Sequence, residues 1–178
     1  MNEEIVHGIP SGRRLVEGDV IGLDMGVILD GFHGDSAITV PVGQISEPAQ
    51  RLLQVTEEAL ELAVEKARVG NRVGDISATI QEYVEKNGYS VVREFVGHGI
   101  GRDLHEEPQI PNFGQAGHGP ALKPGMVLAV ETMVNAGKPE VQVLSDNWTA
   151  VTADGALSAH FEHMVAITSN GPDVLTRM

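Results

Sequence analysis

Four acidic residues lie inside apolar, strand-like segments, and this pattern limits the possible folds more than any other feature of the sequence. Asp24 lies in V-I-G-L-D-M-G-V-I-L, Asp35 in F-H-G-D-S-A-I-T-V, Glu131 in M-V-L-A-V-E-T-M-V and Glu162 in S-A-H-F-E-H-M-V-A-I-T. An ionised carboxylate in such a strand is costly unless it is paired or binds a metal. The fold therefore has to bring these acids to a counter-charge.

The first two acids are joined by a hairpin signal. Asp30-Gly31 separates the two strand-like runs, and Asp-Gly between such runs is typical of a tight β-hairpin turn. The hairpin brings Asp24 and Asp35 into the same region. The near-continuous hydrophobicity of Asp19–Leu29 predicts that its first strand is buried on both faces.

Two helices separate this hairpin from the second acid pair. Ser46 is the predicted N-cap of the first helix, with apolar residues at helical spacing after it, and the second helix is predicted from Asp75 to Asn87. Further strands are predicted at 89–96, 141–144, 148–152 and 158–168. An irregular loop is predicted from Pro108 to Gly125, with His118 exposed in it, and a loose tail after Thr168. Each half of the chain thus carries two acids in strands.

A glycine-rich segment, G-H-G-I-G-R-D-L-H-E-E-P, supplies two histidines, His98 and His105. Glycines occur where the backbone bends tightly or something approaches closely, so His98 is either part of a turn or a ligand presented from one. The chain has no cysteine, so any metal must be held by nitrogen and oxygen. Four acids and His98 suit two hard or borderline metal ions bridged by a carboxylate, which leaves His105 free to contact a substrate.

The overall composition limits the kinds of binding partner and the cellular compartment that we expect. The chain has 178 residues and a formal net charge of −13, so it is expected to form one domain and to bind neither nucleic acid nor a membrane. No apolar run approaches the roughly 20 residues that span a bilayer. The acidic N-terminus lacks a hydrophobic signal region, which predicts a cytoplasmic protein.

Several segments together resemble the type I methionine aminopeptidases of the pita-bread metallopeptidase family. They are N-E-E-I-V-H-G-I-P, D-G-F-H-G-D, V-G-H-G-I-G-R-D-L-H-E-E-P, L-K-P-G-M-V-L-A-V-E and S-A-H-F-E-H, in the family's order and spacing. The resemblance implies an α+β fold of the pita-bread (creatinase/aminopeptidase) type, with a curved antiparallel sheet covered by helices and pseudo-twofold halves. It implies one metallopeptidase domain over residues 1–178.

The same resemblance assigns roles to individual residues. It implies two divalent ions (Co, Mn, Fe or Zn) on Asp24, Asp35, His98, Glu131 and Glu162, with Asp35 and Glu162 bridging. It further implies that His105 contacts the scissile peptide, that Glu131 shuttles a proton, that His7 lies near the substrate, and that Leu104 and Trp148 line the methionine pocket. The implied reaction is removal of the N-terminal methionine from nascent proteins and peptides by a metal-bound hydroxide.

The chain departs from the family pattern in three places. It begins within the family's first motif, so the usual N-terminal segment, which contributes to the methionine pocket, is expected to be absent. Thr132 stands where the family usually has proline, and Met164 where it usually has threonine. Loss of that threonine hydroxyl is expected to remove a hydrogen bond that orients a ligand carboxylate. His33, His160 and His163 border ligands and are interpreted as structural.

Two other functions stay open on the sequence alone. A catalytically inactive pita-bread module would bind peptides or proteins without hydrolysing them, and the short N-terminus favours this alternative. A proline-dipeptide or X-Pro peptidase of the same fold is the other alternative. The sequence does not define the oligomeric state or select one metal.

Overall fold

The computed structural model describes residues 1–177 as antiparallel strands with two helices. The helices are α1 (Glu47–Lys66) and α2 (Val73–Lys86). The strands are β1 (Glu4–Val6), β2 (Val20–Leu29), β3 (Phe32–Pro41), β4 (Ser90–Val91), β5 (Val96–Gly99), β6 (Glu106–Pro111), β7 (Val127–Asn135), β8 (Val141–Val143), β9 (Ala150–Thr152), β10 (Ser158–Thr168) and β11 (Gly171–Val174).

The strands form three antiparallel sheets around one main core. The largest sheet has the order β11-β10-β7-β5-β6, with β4 paired to β7, the second has the order β1-β9-β8, and β2 pairs with β3 as a hairpin. Helix α1 packs on β7 and β10, and β3 of the hairpin packs on β10. The core between α1, α2 and the large sheet includes Leu52, Leu60, Ile76, Leu128 and Val130. No helix among residues 1–177 is long and apolar enough to cross a membrane.

Both predicted helices form because their apolar residues share one face and their first turns are capped. The Ser46 side chain accepts a hydrogen bond from the backbone N–H of Ala49 at 3.3 Å, as predicted for an N-cap. Helix α2 begins two residues before the predicted Asp75, because the Asp75 carboxylate accepts from the Arg72 N–H at 2.7 Å. Capping at that position lets Val73 and the following residue enter the helix.

The predicted hairpin turn is confirmed, but the predicted burial of its first strand is wrong. Asp30 and Gly31 adopt φ of 51° and 80°, the two positive values that a type I′ turn requires. On the outer face of β2, Met25 and Val27 are 64% and 63% exposed. An apolar run indicates that a strand can be covered on both faces, but within residues 1–177 no element shields this face.

Several sequence-based boundaries also need correction. His98 lies in strand β5, not in a turn, and the predicted strand at 89–96 is reduced to β4. Residues 106–111, partly assigned to a loop because of Pro108 and Pro111, form β6 at one edge of the large sheet. Proline is tolerated there because an edge strand has N–H groups that need no partner strand. The tail predicted as loose forms β11, paired with β10.

Candidate metal centre

All the residues singled out from the sequence as site residues line one cavity of about 430 Å³. They come from strands β2, β3, β5, β7 and β10 and from the segments that follow β1 and β5 or precede β9. They are His7, Asp24, Asp35, His98, Leu104, His105, Glu131, Trp148 and Glu162. The fold therefore gathers these side chains at one place.

The hairpin contributes the two aspartates to one side of this cavity. In the β2–β3 register, Asp24 pairs with Ala37 and Gly26 pairs with Asp35. Side chains of directly opposed residues share a face and successive ones alternate, so Asp24 and Asp35 project from the same face. Burial raises the pKa of both carboxyls, and the charge of Asp35 raises that of Asp24 further.

Strands β7 and β10 contribute the two glutamates, which lie directly opposite each other in the sheet. Burial raises the pKa of Glu131 to about 8 and that of Glu162 to about 10, and the neighbouring carboxyls add to both shifts. Glu162 is 2% exposed, and its Oε1 has no hydrogen-bond partner among the described residues. A buried acceptor without a partner is destabilising, so this oxygen fits a cation.

His98 reaches the cavity from the interior of the sheet, because β5 lies against both β6 and β7. A Cβ at Gly97 would come within 2.4 Å of the Ala129 carbonyl oxygen, and one at Gly99 within 2.3 Å of the Glu107 carbonyl oxygen. Only glycine permits this close packing on either side of His98. The glycines therefore serve strand packing and not a flexible turn.

The ring of His98 is oriented as a metal ligand would be. Its Nδ1 lies 2.9 Å from the Gly99 carbonyl oxygen, so Nδ1 carries the proton and Nε2 keeps a lone pair. Nε2 lies 3.3 Å from Oε1 of Glu131 and 3.9 Å from Oδ2 of Asp35. Burial lowers the pKa of His98, which favours the neutral form that binds metals.

The geometry and donor chemistry of this cluster fit a divalent metal. One ligand atom each from Asp35, His98 and Glu162 lie within 4.8 Å of one another. Asp24 and Glu131 border this triad in the same cavity. A donor set of carboxylate oxygens with an imidazole suits Mn, Fe, Co or Zn.

Aromatic and imidazole side chains line the rest of the cavity. The His105 ring stands edge-on to His98, with centroids 4.5 Å apart. His7 stacks on Trp148 at 4.8 Å, and its φ of 63° turns the chain at the end of β1. Leu104 packs against the small apolar cluster of Ile100, Ala129 and Met164 and lines the same cavity as His105.

Two of the three departures from the family pattern, Thr132 and Met164, lie on β7 and β10 close to Glu131 and Glu162. Met164 Sδ accepts a hydrogen bond from the backbone N–H of Asp35 at 3.1 Å, so the sulfur contacts one of the four acidic residues of the cavity, at the position where the family usually has a threonine hydroxyl. Thr132 is fully buried, and its Oγ1 lacks a hydrogen-bond partner within residues 1–177.

The sequence-based interpretation did not separate His160 from the other bordering histidines. His160 is 4% exposed, and its Nε2 lies 3.6 Å from Oε2 of Glu131. His163 faces away from the cavity and its Nδ1 lies 2.8 Å from Oγ1 of Thr176. The alternation of side chains along a strand puts residue 160 on the same face as Glu162 and residue 163 on the opposite one, which is the signal that separates them.

Comparison with known proteins places the chain in a family. The model of metallopeptidase family M24 matches residues 1–169. Methionine aminopeptidase 1 of Bacillus subtilis is 58% identical over 178 residues, which cover 100% of this chain and 72% of that protein. The Escherichia coli K12 methionine aminopeptidase is 45% identical over 177 residues, covering 99% and 67%. The chain belongs to metallopeptidase family M24.

Solved structures show the same relationship at the level of the fold. The crystal structure of methionine aminopeptidase from Thermotoga maritima matches with a TM-score of 0.98 at 49% identity, covering 99% of this chain and 72% of that one. Prolidase from Pyrococcus furiosus matches with a TM-score of 0.78 at 26% identity, covering 97% and 45%. The predicted α+β pita-bread fold and the resemblance to methionine aminopeptidases are confirmed.

Proposed function

We infer that this protein is a metalloaminopeptidase that removes the N-terminal methionine from proteins and peptides. Identities of 58% and 45% with methionine aminopeptidases over almost the whole chain support this activity. The structural observation that carries it is the convergence of Asp35, His98 and Glu162 in one cavity. The unpartnered oxygen of Glu162 lies at the same place.

The five-residue ligand set is part of the proposal. Asp24, Asp35, His98, Glu131 and Glu162 line the same cavity and would hold two divalent ions, as the resemblance to methionine aminopeptidases implies. Divalent metal bound there supplies Lewis acidity and activates water for hydrolysis. The donor set does not select among Co, Mn, Fe and Zn, since their affinities for such sites depend on availability as well as geometry.

The proton chemistry is assigned to His105 and Glu131. The exposed His105 ring lies beside His98 at the cavity surface, where it can donate a hydrogen bond to the carbonyl oxygen of the scissile peptide. Glu131 lies in the same cavity, with its Oε1 3.3 Å from Nε2 of His98, and is proposed to shuttle the proton, as the resemblance to methionine aminopeptidases implies.

The remaining residues define how a peptide N-terminus would be held. Asp24, Asp35 and the glutamates make the cavity acidic, which favours a free α-amino group over an internal peptide segment. His7, Leu104 and Trp148 offer apolar and aromatic surface that suits an unbranched thioether side chain. The substrate is therefore proposed to be a peptide or nascent-chain N-terminus.

The chain is proposed to act as one metallopeptidase domain over residues 1–178. Strand β1, close to the N-terminus, pairs with β9 in the second half of the chain. The backbone N–H of Ser158 at the start of β10 also donates to the Asn2 carbonyl oxygen at 2.8 Å. These contacts tie the first residues to the sheet that carries Glu162.

An X-Pro peptidase is the second candidate, because the prolidase of P. furiosus shares the fold. The lower identity of that match, 26% against 49% for the T. maritima methionine aminopeptidase, favours methionine release. A binding module without activity is the third candidate.

Substrate profiling after metal loading separates the three candidates. The protein, stripped and reloaded with Mn, Fe, Co or Zn, is assayed on Met-Ala-Ser and on Xaa-Pro dipeptides. We expect methionine release and little dipeptide cleavage. Cleavage of Xaa-Pro alone would show an X-Pro peptidase, and metal binding without any hydrolysis would show a binding module. His105→Ala is expected to lower kcat about 100- to 1,000-fold, as loss of a hydrogen-bond donor to a developing oxyanion does.

A further inference from the structure

We propose that His160 is a positioning residue that orients the Glu131 carboxylate through its Nε2, a role that rests on the proposed metallopeptidase function. His160 lies on β10 two residues before Glu162 and is 4% exposed. Its Nε2 lies 3.6 Å from Oε2 of Glu131, and its Nδ1 lies 4.0 Å from Oδ2 of Asp24. The ring therefore sits between one carboxylate from each half of the site.

The surroundings of His160 leave its buried Nε2 without a hydrogen bond among the described residues. A buried polar atom of this kind is rare and destabilising. Glu131 is the acceptor that the ring can reach with a small rotation of its carboxylate, because the present distance is only slightly longer than a hydrogen bond. The unpartnered nitrogen is thus aimed at the metal-binding cluster.

The backbone of His160 is held in place from the hairpin side. The Thr39 hydroxyl accepts from the His160 N–H at 2.9 Å and donates to the His160 carbonyl oxygen at 2.8 Å. This reciprocal pair fixes the backbone of His160 between β3 and β10, and the buried ring projects from there toward Glu131. A fixed donor is what orientation of a ligand carboxylate requires.

The position of Glu131 shows what that orientation achieves. Its Oε1 lies 3.3 Å from Nε2 of His98, and its Oε2 lies on the side of His160. A hydrogen bond from His160 to Oε2 keeps Oε1 turned toward the cluster of Asp35, His98 and Glu162. Without this hydrogen bond the carboxylate can rotate, and the metal site loses a preorganised ligand.

Two substitutions at position 160 test this role, and a third at position 163 serves as a matched control. His160→Leu removes the donor and keeps an apolar side chain that packs in a strand. His160→Gln restores an N–H at about the distance of Nε2. His163→Gln makes the same change on the same strand, on the face that contacts Thr176. Circular dichroism and thermal melting establish that each variant is folded, and His160→Met, which also lacks a donor, replaces His160→Leu if the leucine variant does not fold.

The readouts are the affinity of the metal-free proteins for Mn²⁺ by calorimetry and kcat/KM on Met-Ala-Ser. We expect His160→Leu to weaken Mn²⁺ binding about 10- to 100-fold, His160→Gln to recover most of it, and His163→Gln to bind as the unchanged protein does. Equal Mn²⁺ affinity in the unchanged protein and in His160→Leu would overturn the positioning role. A further outcome is that the variants and the unchanged protein differ in Mn²⁺ affinity as expected while none of them, the unchanged protein included, releases methionine. In that case the positioning role stands and the proposed activity fails.

Discussion

The hairpin β2–β3 and the strand pair β7–β10 each bring two acidic side chains to one cavity, but from different surroundings. One face of the hairpin is turned to solvent, where Val27 is 63% exposed. In the strand pair, Val130 beside Glu131 is fully buried, and α1 packs on both strands. Asp24 borders water, with its side chain 47% exposed, whereas Asp35 and Glu131 are 13% and 14% exposed and Glu162 is buried.

This difference decides how strongly each carboxyl resists ionisation. Burial raises the pKa of all four acids, but to about 8 for Glu131 and about 10 for Glu162. At Asp24, water can solvate part of the charge, because its side chain is 47% exposed. Between β7 and β10 a cation is the counter-charge that allows both glutamates to ionise. We therefore expect the two pairs to contribute unequally to metal binding.

The largest expected effect separates Glu162 from Asp24. Glu162→Gln is expected to lower kcat/KM by more than about 100-fold, because water cannot reach this buried position to replace the carboxylate. This loss is larger than the loss of about 10- to 100-fold that is typical for a residue that only hydrogen-bonds a metal ligand. Asp24→Asn is expected to cost about 10- to 100-fold, since its side chain is 47% exposed and water can take its place. Steady-state kinetics at one Mn²⁺ concentration, chosen to saturate the unchanged protein, measure both, with Glu57→Gln on the solvent face of α1 as the control. A larger loss for Asp24→Asn would reverse the comparison.

The free energy of unfolding of the metal-free protein should depend on pH in a way that reflects the same difference between the glutamates and the aspartates. Folded Glu131 and Glu162 keep protons that the unfolded chain, with ordinary carboxyl pKa values of 4.5, has already released. The free energy of unfolding should therefore fall as pH rises, by up to about 1.4 kcal/mol per pH unit for each proton held. The histidines with lowered pKa, His98, His160 and His163, act in the opposite direction, but only below their unfolded value of 6.5.

Urea unfolding with a chelator from about pH 7 to about pH 9 isolates the glutamate contribution. Glu162→Gln is expected to flatten this slope, and Asp24→Asn to change it less. Added Mn²⁺ should oppose the loss, because metal binds the deprotonated acids. Stability that rises over this range in the metal-free protein would contradict the assignment of two buried, protonated glutamates.

The smallest expected effect is on stability, and the same valine-to-alanine substitution in the two regions measures it. Val130→Ala in β7 is expected to lower the free energy of unfolding by about 2 kcal/mol, close to the cost of exposing a buried valine. Val27→Ala on the outer face of β2 is expected to change it by less than about 0.5 kcal/mol. Chemical denaturation of the two variants measures both values. A similar cost at both positions would mean that the outer face of the hairpin is covered in solution.

The elements that the sequence predicts well are those set by local chemistry. The Asp30-Gly31 turn, the Ser46 cap and the bounds 158–168 of β10 follow from turn propensity, capping and apolar patterning. The convergence of the acids could be anticipated too, because carboxylates inside apolar strands need a common counter-charge.

The features that the sequence misses depend on contacts with distant segments. Whether the outer face of β2 is buried depends on what packs over it, which an apolar run does not specify. The prolines of β6 are tolerated only because β6 is an edge strand. The order of strands in a sheet cannot be predicted from the local sequence of one strand. The role of His160 required the register of β10 against both β7 and β3.

The unequal dependence of metal binding on the two acid pairs is tested most directly by calorimetric titration of Mn²⁺ into the metal-free protein and two variants. The unchanged protein should bind Mn²⁺ saturably, Asp24→Asn should bind it with lower affinity, and Glu162→Gln should show no saturable binding over the same range. Saturable binding that survives in Glu162→Gln as well as it does in Asp24→Asn would contradict the central role assigned to the buried glutamate pair.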